Sequence, residues 1–291
     1  MTGLRTQTLG PSSGSRPSES PPTLRERLAG ATRELARAGC ETARLDAELL
    51  LAAALGVDRA ALVVDSARPL EPAEAARLDV LVERRRAREP VAYILGRKEF
   101  RHLLLAVDPR VLVPRPETEL LVEVGLELPR DVRVVDVGTG SGAVALALKH
   151  ERPDLEVHGT DADAGALAVA RANARRLDVP VTFARHDLLA GVTGPLDAVL
   201  ANLPYVAERE WEALPPEITC HEPRSALLAG PEGLELIRRL ATATGAAGLV
   251  ALEVGAGQAP AVAGILGEAG FTGIERRRDL AGIERVVVGR R

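Results

Sequence analysis

Val134-Val135-Asp136-Val137-Gly138-Thr139-Gly140-Ser141-Gly142-Ala143 begins as a buried β-branched strand and ends in three glycines at alternate positions. Val144-Ala145-Leu146-Ala147-Leu148 follows as a helix-forming run. Strand, glycine turn and helix bring backbone close to a nucleotide-like ligand. A Cβ would block that approach, and glycine tolerates the φ values the turn needs. Gly138, Gly140 and Ala143 also fit the looser dinucleotide fingerprint, so the spacing alone leaves the ligand open. Asp136, two residues before Gly138, would crowd a pyrophosphate but welcome a cation. About twenty residues on, the strand-like run Leu155-Glu156-Val157-His158-Gly159-Thr160 ends in Asp161, an acid suited to ribose hydroxyls. Two acids around a glycine loop fit S-adenosyl-L-methionine, a cationic sulfonium with a ribose and no phosphate. The plain alternative is a tight turn with a capping Asp.

Outward from this stretch, strand and helix alternate, which implies a mostly parallel sheet and an α/β fold. Strands are expected at 132–137, 155–160, 180–185, 196–201 and 247–254. Helices are expected at 142–150, 163–176, 231–244 and near 258–269. The tail adds strands at 271–277 and 283–289, one of them antiparallel.

The strand at 196–201 runs into Asn202-Leu203-Pro204-Tyr205. In a parallel sheet this loop lies at the carboxyl edge beside the glycine loop, where ligands bind. The Asn202 side-chain oxygen can accept an N–H bond, and Pro204 holds Leu203 extended and so fixes the direction of its carbonyl. Tyr205 offers a flat face. Together they can hold a planar nitrogen group, which suits methyl transfer to nitrogen. An amide or exocyclic amine is a poor nucleophile, and accepting both of its N–H bonds keeps it in line for attack. A simple turn is the alternative. Asp187, after the third strand, is placed for an adenine amino group or for a cap on the next turn, and Leu188 for apolar and backbone contacts to adenine.

Residues 1–22 are polar and rich in Pro, Ser and Gly, and are expected to be a disordered tail or a mis-assigned start rather than a transit peptide. Residues 23–90 read as a small helical bundle. Leu24, Leu28, Ala31, Leu35 and Ala38 recur at helical spacing, Arg44-Leu45-Asp46-Ala47-Glu48 opens a second helix, a third follows Asp58, and a fourth starts at Pro72. The bundle carries no catalytic constellation and serves either partner docking or folding. Residues 91–116 read as a hairpin linker, with strands Phe100 to Val107 and Val111 to Val113 around Asp108-Pro109-Arg110. Pro114-Arg115-Pro116-Glu117-Thr118-Glu119 then leads into a helix from Leu120 to Leu128. Its charges are expected to cap that helix rather than face the site. A cofactor-binding catalytic domain is expected over 117–291.

With 46% hydrophobic and 27% charged residues the composition is that of a soluble globular protein, and 2% aromatics leave the packing to Ala, Leu and Val. A net charge of −4 gives no general pull towards nucleic acid. Cys40 and Cys220 form no CxxC pair and the five histidines are scattered, so neither a metal site nor a disulfide framework is expected. A cytoplasmic protein with no membrane span is expected.

The chain resembles class I S-adenosylmethionine-dependent methyltransferases and, more narrowly, bacterial release-factor glutamine methyltransferases of the PrmC/HemK type. The resemblance runs from about residue 23 onward. It rests on Arg44 to Glu48, the hexamer Pro114 to Glu119, the glycine loop, His221-Glu222-Pro223 and Asp279-Leu280-Ala281-Gly282-Ile283-Glu284-Arg285. It implies a Rossmann-like sheet with one antiparallel strand, and methylation of the glutamine side-chain amide in the Gly-Gly-Gln loop of peptide-chain release factors, docked by the helical domain. A monomer is expected. By position, Gly138, Thr139, Gly140, Ser141, Gly142, Asp161, Asp187, Leu188 and Asn202 would contact the cofactor, and Asn202, Leu203, Pro204 and Tyr205 would hold the glutamine. The family's tetrapeptide is Asn-Pro-Pro-Tyr. Leu203 departs from it and resembles instead the motif of ribosomal-RNA adenine dimethyltransferases. An RNA adenine amine, a ribosomal-protein glutamine and a non-catalytic cofactor-binding scaffold are therefore the alternatives.

Overall fold

The computed structural model describes residues 21–245 and 247–291, so the tail expected at 1–22 lies, but for Pro21 and Pro22, outside the described residues. The chain divides into two compact units between Val82 and Glu83.

The first unit is helical: α1 (Leu24–Arg37), α2 (Ala43–Leu55), α3 (Arg59–Val64) and most of α4 (Pro72–Arg86). Thr23 starts α1 through a capping box with Glu26, which satisfies two otherwise orphaned N–H groups. Leu24, Leu28, Ala31 and Leu35 are its buried stripe. Asp58 caps α3 by accepting from the Ala61 N–H at 3.0 Å.

The second unit takes in the last turn of α4, where Arg85 and Arg88 both pair with Glu217, at 2.8 and 2.6 Å. A short helix α5 (Val91–Leu95) precedes a hairpin of β1 (Arg97–Phe100) and β2 (Leu103–Ala106). The expected hairpin register is therefore wrong. Phe100 to Val107 is not one strand but is broken by a turn at Arg101-His102, and Val111 to Val113 joins no ladder. Arg101 adopts φ +50°, held there by Glu119, which accepts its N–H, and by a bidentate pair with Glu151. Val111 and Val113 are buried as apolar anchors without strand partners.

The remaining elements are α6 (Glu119–Leu126), β3 (Arg133–Val137), α7 (Ala143–Glu151), β4 (Glu156–Asp161), α8 (Ala164–Leu177), β5 (Thr182–Arg185), β6 (Ala198–Ala201), α9 (Pro216–His221), α10 (Glu235–Ala243), β7 (Leu249–Glu253), α11 (Ala259–Glu268), β8 (Gly273–Arg278) and β9 (Glu284–Arg290). They build a seven-stranded sheet in the order β5-β4-β3-β6-β7-β9-β8. Strands β3 to β7 are mutually parallel, and β9 alone runs antiparallel to its neighbours β7 and β8. This is the expected mostly parallel fold.

Helices cover both faces. Val134 packs with Leu121, Leu146 and Leu167 on one side, while Val135 and Val137 pack with Ile237, Leu240 and Val262 on the other. The period of two along β3 sends alternate side chains to opposite layers. From β3 the chain steps to β4 and β5 on one side and to β6 and β7 on the other. That reversal opens a crevice at the carboxyl ends of β3, β4 and β6, which carry Gly138, Asp161 and Asn202.

Candidate active site

The crevice holds a cavity of 360 Å³. Gly138, Thr139, Gly140, Ser141, Asp161, Asp187, Leu188, Asn202, Leu203 and Pro204 all line it; Gly142, at the start of α7, and Tyr205 do not.

The loop between β3 and α7 is held by carboxylates. Asp136 is buried, and its Oδ2 accepts from the Thr139 hydroxyl at 2.6 Å and the Ala145 N–H at 3.2 Å. Burial pushes its carboxyl up to about 7, opposed by those two bonds and reinforced by the nearby charge of Asp161. Asp161 accepts the Gly140 N–H on Oδ2 and the Asp163 N–H on Oδ1, both at 2.9 Å, and burial raises its pKa as well. Both acids thus brace the loop while lining the cavity. Gly138 is required on two counts. Its φ is +75°, and a Cβ there would stand 3.1 Å from Leu203 Cδ2.

That contact places Leu203. Its side chain is 4% exposed and packs over the glycine loop, and among the described residues no donor reaches its carbonyl oxygen. The neighbouring Asn202 donates through Nδ2 to the Thr118 hydroxyl at 3.0 Å, leaving its Oδ1 without a donor among the described residues. Two adjacent acceptors therefore remain uncommitted. Tyr205 is turned away from the cavity lining. Its hydroxyl lies 3.5 Å from Glu253 Oε1, its carbonyl accepts from Gln258 Nε2 at 2.9 Å, and burial raises its pKa. Asp187, expected to cap or to face adenine, extends its exposed carboxylate to Arg239 of α10 at 2.7 Å.

Three features escape sequence reasoning. The hexamer does not cap α6 with a side chain: Thr118 faces Asn202 and Glu119 accepts from the Arg101 N–H. Arg115 pairs with buried Glu222 at 2.5 Å, and Glu222 also accepts the Val113 N–H at 3.2 Å, so two motifs 107 residues apart form one clasp beside the cavity. Asn173, fully buried in α8, donates to the carbonyls of Ala106 and Ser141, each at 3.0 Å, and accepts the Ala106 N–H at 2.8 Å. Its signal was available: a polar amide at a core position of an apolar helical period (Ala166, Leu167, Val169, Ala170) calls for backbone partners.

Comparison with known proteins bears on the same residues. The model of the PrmC N-terminal domain matches residues 26–96, and that of the methyltransferase small domain matches 116–220. A release factor glutamine methyltransferase of Geobacter sulfurreducens is 40% identical over 274 residues, covering 92% of this chain and 96% of that protein. One of Deinococcus radiodurans is 41% identical over 275 residues, covering 92% and 98%. Among solved structures, the hMettl16 catalytic domain shares the fold with a TM-score of 0.54 at 15% identity, over 75% of this chain and 81% of that one.

Proposed function

The chain belongs to the release factor glutamine methyltransferases, and from that we propose that it transfers a methyl group from S-adenosylmethionine to the side-chain amide nitrogen of the glutamine in the Gly-Gly-Gln motif of peptide-chain release factors. The observation that carries this reading is the pair of uncommitted acceptors, Asn202 Oδ1 and the Leu203 carbonyl, side by side on the cavity wall. A primary amide has two N–H donors to match them.

The residues present fit the cofactor. Gly138 and Gly140 leave the loop without side chains, Asp161 offers a carboxylate to a ribose, and Leu188 together with Val137 and Ala162 supplies an apolar wall. Buried Asp136 and half-buried Asp161 both line the cavity, and two carboxylates there suit a cationic occupant. Asp187 is assigned to the adenine amino group, which requires it to share its carboxylate with Arg239. When bound, S-adenosylmethionine supplies an electrophilic methyl on a sulfonium.

The chain's part is positioning. Asn202 and Leu203 accept both N–H bonds of the glutamine amide, hold the nitrogen lone pair in line, and favour its loss of planarity. The methylated amide nitrogen is positively charged and strongly acidic, so it gives its proton to water and no strong base is needed. Pro204 fixes the Leu203 carbonyl, and Tyr205, anchored by Gln258 and Glu253, fixes the segment's far end. Residues 23–90 are assigned to docking the release factor, 91–116 to the linker and 117–291 to catalysis, in a cytoplasmic monomer. Among the described residues no helix is long and apolar enough to cross a membrane.

Asp161→Ala is expected to weaken cofactor binding by roughly 10-fold or more, since it removes a charged hydrogen-bond acceptor and the brace on Gly140. Isothermal titration with S-adenosylmethionine measures this, and unchanged affinity removes the ribose role. Leu203→Pro is expected to keep kcat within a few-fold, because the backbone carbonyl is retained. It should also lower stability by about 1–2 kcal/mol through the lost packing over Gly138. A large gain in kcat would mean that leucine impairs the site.

The deciding experiment incubates the protein with methyl-labelled S-adenosylmethionine and a purified release factor and maps the label by peptide mass spectrometry. Label on the Gly-Gly-Gln glutamine is the expected result. Cofactor binding without label on the release factor overturns the proposal, and ribosomal RNA and ribosomal proteins are then tried as acceptors under the same conditions.

A further inference from the structure

The motif Asp279-Leu280-Ala281-Gly282-Ile283-Glu284-Arg285 forms the turn between β8 and β9 and contributes nothing to the cavity lining. Leu280 at its tip is fully exposed, and Ile283 beside it is 37% exposed. A single exposed leucine is ordinary; one mounted on a turn this firmly held is not. Asp279 Oδ1 accepts the N–H groups of Ala281 and Ile283, both at 2.9 Å. The Asp279 N–H donates to the Ile283 carbonyl at 2.8 Å, and the Gly282 N–H donates back to the Asp279 carbonyl at 2.9 Å. Arg278 Nη1 donates to the Gly282 carbonyl at 2.7 Å, and Arg285 Nε to Asp279 Oδ2 at 3.0 Å. The turn is therefore ordered in advance, and a partner covering Leu280 has little backbone entropy left to remove.

Its place in the sheet says what the tip faces. Because β9 runs antiparallel to β7, the turn stands at the carboxyl edge of the parallel strands, the edge that carries Asn202. Ala201 pairs with Leu252 and Glu253 with Val286, so Asn202 and the start of β9 are two strand spacings apart, roughly 10 Å. The Val254 N–H donates to the Arg285 carbonyl at 2.8 Å, which ties the base of the turn to the end of β7, and Glu253 there lies 3.5 Å from the Tyr205 hydroxyl. From Val286 the chain runs outward through Ile283, so the tip stands proud of the level of Asn202. A glutamine carries its amide at the end of a two-methylene arm. With that amide held at Asn202, the backbone bearing it lies outside the sheet edge, beside this turn. Cations around the tip are matched within the hairpin, Arg276 and Arg278 by Glu284 and Arg285 by Asp279. What the tip offers is apolar, which suits a protein surface rather than a phosphate backbone.

We propose that the β8–β9 turn is a docking element for the protein substrate, with Leu280, flanked by Ile283, packing on an apolar side chain of the release factor close to the target glutamine. The inference rests on the reading of Asn202 as the holder of that glutamine. Covering a leucine side chain is worth roughly 10-fold or more in affinity. The contact lies away from the reacting nitrogen and is the same before and during transfer, so it lowers KM and leaves kcat alone. It also gives the enzyme a way to prefer a folded factor over any chain that contains Gly-Gly-Gln, since only the folded factor carries an apolar group at the right offset from its glutamine.

The test measures initial rates against purified, folded release factor at saturating S-adenosylmethionine for wild type, Leu280→Ser and Leu280→Met. Melting temperature, cofactor affinity by isothermal titration and sedimentation are measured on the same samples. Leu280→Ser is expected to raise KM for the release factor roughly 10-fold with kcat within about 2-fold of wild type, and to leave melting temperature and cofactor affinity unchanged. Leu280→Met, which keeps an apolar side chain of similar volume, should return KM to near the wild-type value. A wild-type KM in Leu280→Ser overturns the proposal. So does a fall in kcat or cofactor affinity that accounts for the lost rate, which would place the effect in the cavity rather than at the tip. A wild-type dimer that Leu280→Ser dissolves, with KM unaltered, would assign the tip to a second copy of this chain and overturn the proposal as well. Absence of transfer by the wild type would instead overturn the functional reading beneath it.

Discussion

Asn202→Ala is expected to lower methyl transfer by a factor of roughly 10²–10³ or more in kcat, the loss typical of deleting one preorganised polar group that acts on the transition state. Two things go at once. The Oδ1 acceptor disappears, so one N–H of the target amide has no partner and the nitrogen is free to rotate out of line. The Thr118 hydroxyl also loses the group it now receives, loosening the link between the hexamer and the carboxyl end of β6. Cofactor affinity should fall only a few-fold, because the glycine loop and Asp161 are braced independently of Asn202. Single-turnover transfer from labelled cofactor and isothermal titration separate the two effects. Turnover within about 10-fold of wild type would remove Asn202 from the mechanism.

Asn173→Ala is expected to be the most damaging single change to stability, about 3–5 kcal/mol, since it strands an N–H and two carbonyls that this side chain alone satisfies in a fully buried position. The melting temperature of the catalytic unit should drop by roughly 10 °C. The loss should also reach the cofactor site, because Ser141 sits in the glycine loop and Ala106 in β2. Asn173 bonds both segments through its side-chain amide. Asn173→Asp should be nearly as damaging: it keeps the acceptor for Ala106 N–H, loses both donated bonds and buries a charge. Denaturant melts of the two variants check this, and a loss below about 1 kcal/mol for Asn173→Ala would show that water replaces the side chain.

The two damaging positions were not equally legible in the sequence. Asn202 could be found because it follows a short apolar strand and precedes a proline, both local signals. The glycine loop, Asp161 and the alternation of strands and helices were local in the same sense. Asn173 shows in the sequence only as a polar amide within an apolar helical period, whereas its partner Ala106 and the Asn202 partner of Thr118 lie 67 and 84 residues away. No period or spacing carries that information. The hairpin failed for a related reason. Arg101-His102 has none of the usual turn residues, and the left-handed φ at Arg101 is held by Glu119 and Glu151 from two later helices. The flat face of Tyr205 is legible from its residue type, while the partners of its hydroxyl and carbonyl, Glu253 and Gln258, lie 48 and 53 residues away and leave no local signal. Asp187 follows a strand end where ligands bind, a local signal, whereas its pairing with Arg239, 52 residues on, leaves none.

The placement of β9 between β7 and β8 has a consequence for how the molecule is made. Among the described residues β8 has no sheet neighbour other than β9, so β8 joins the sheet only through β9. Until β9 emerges and pairs, β7 with its five buried residues is an open edge, and β8 waits as an unattached segment. Until then an apolar strand edge of the nascent chain is available to other chains, and β9 is the segment that closes it.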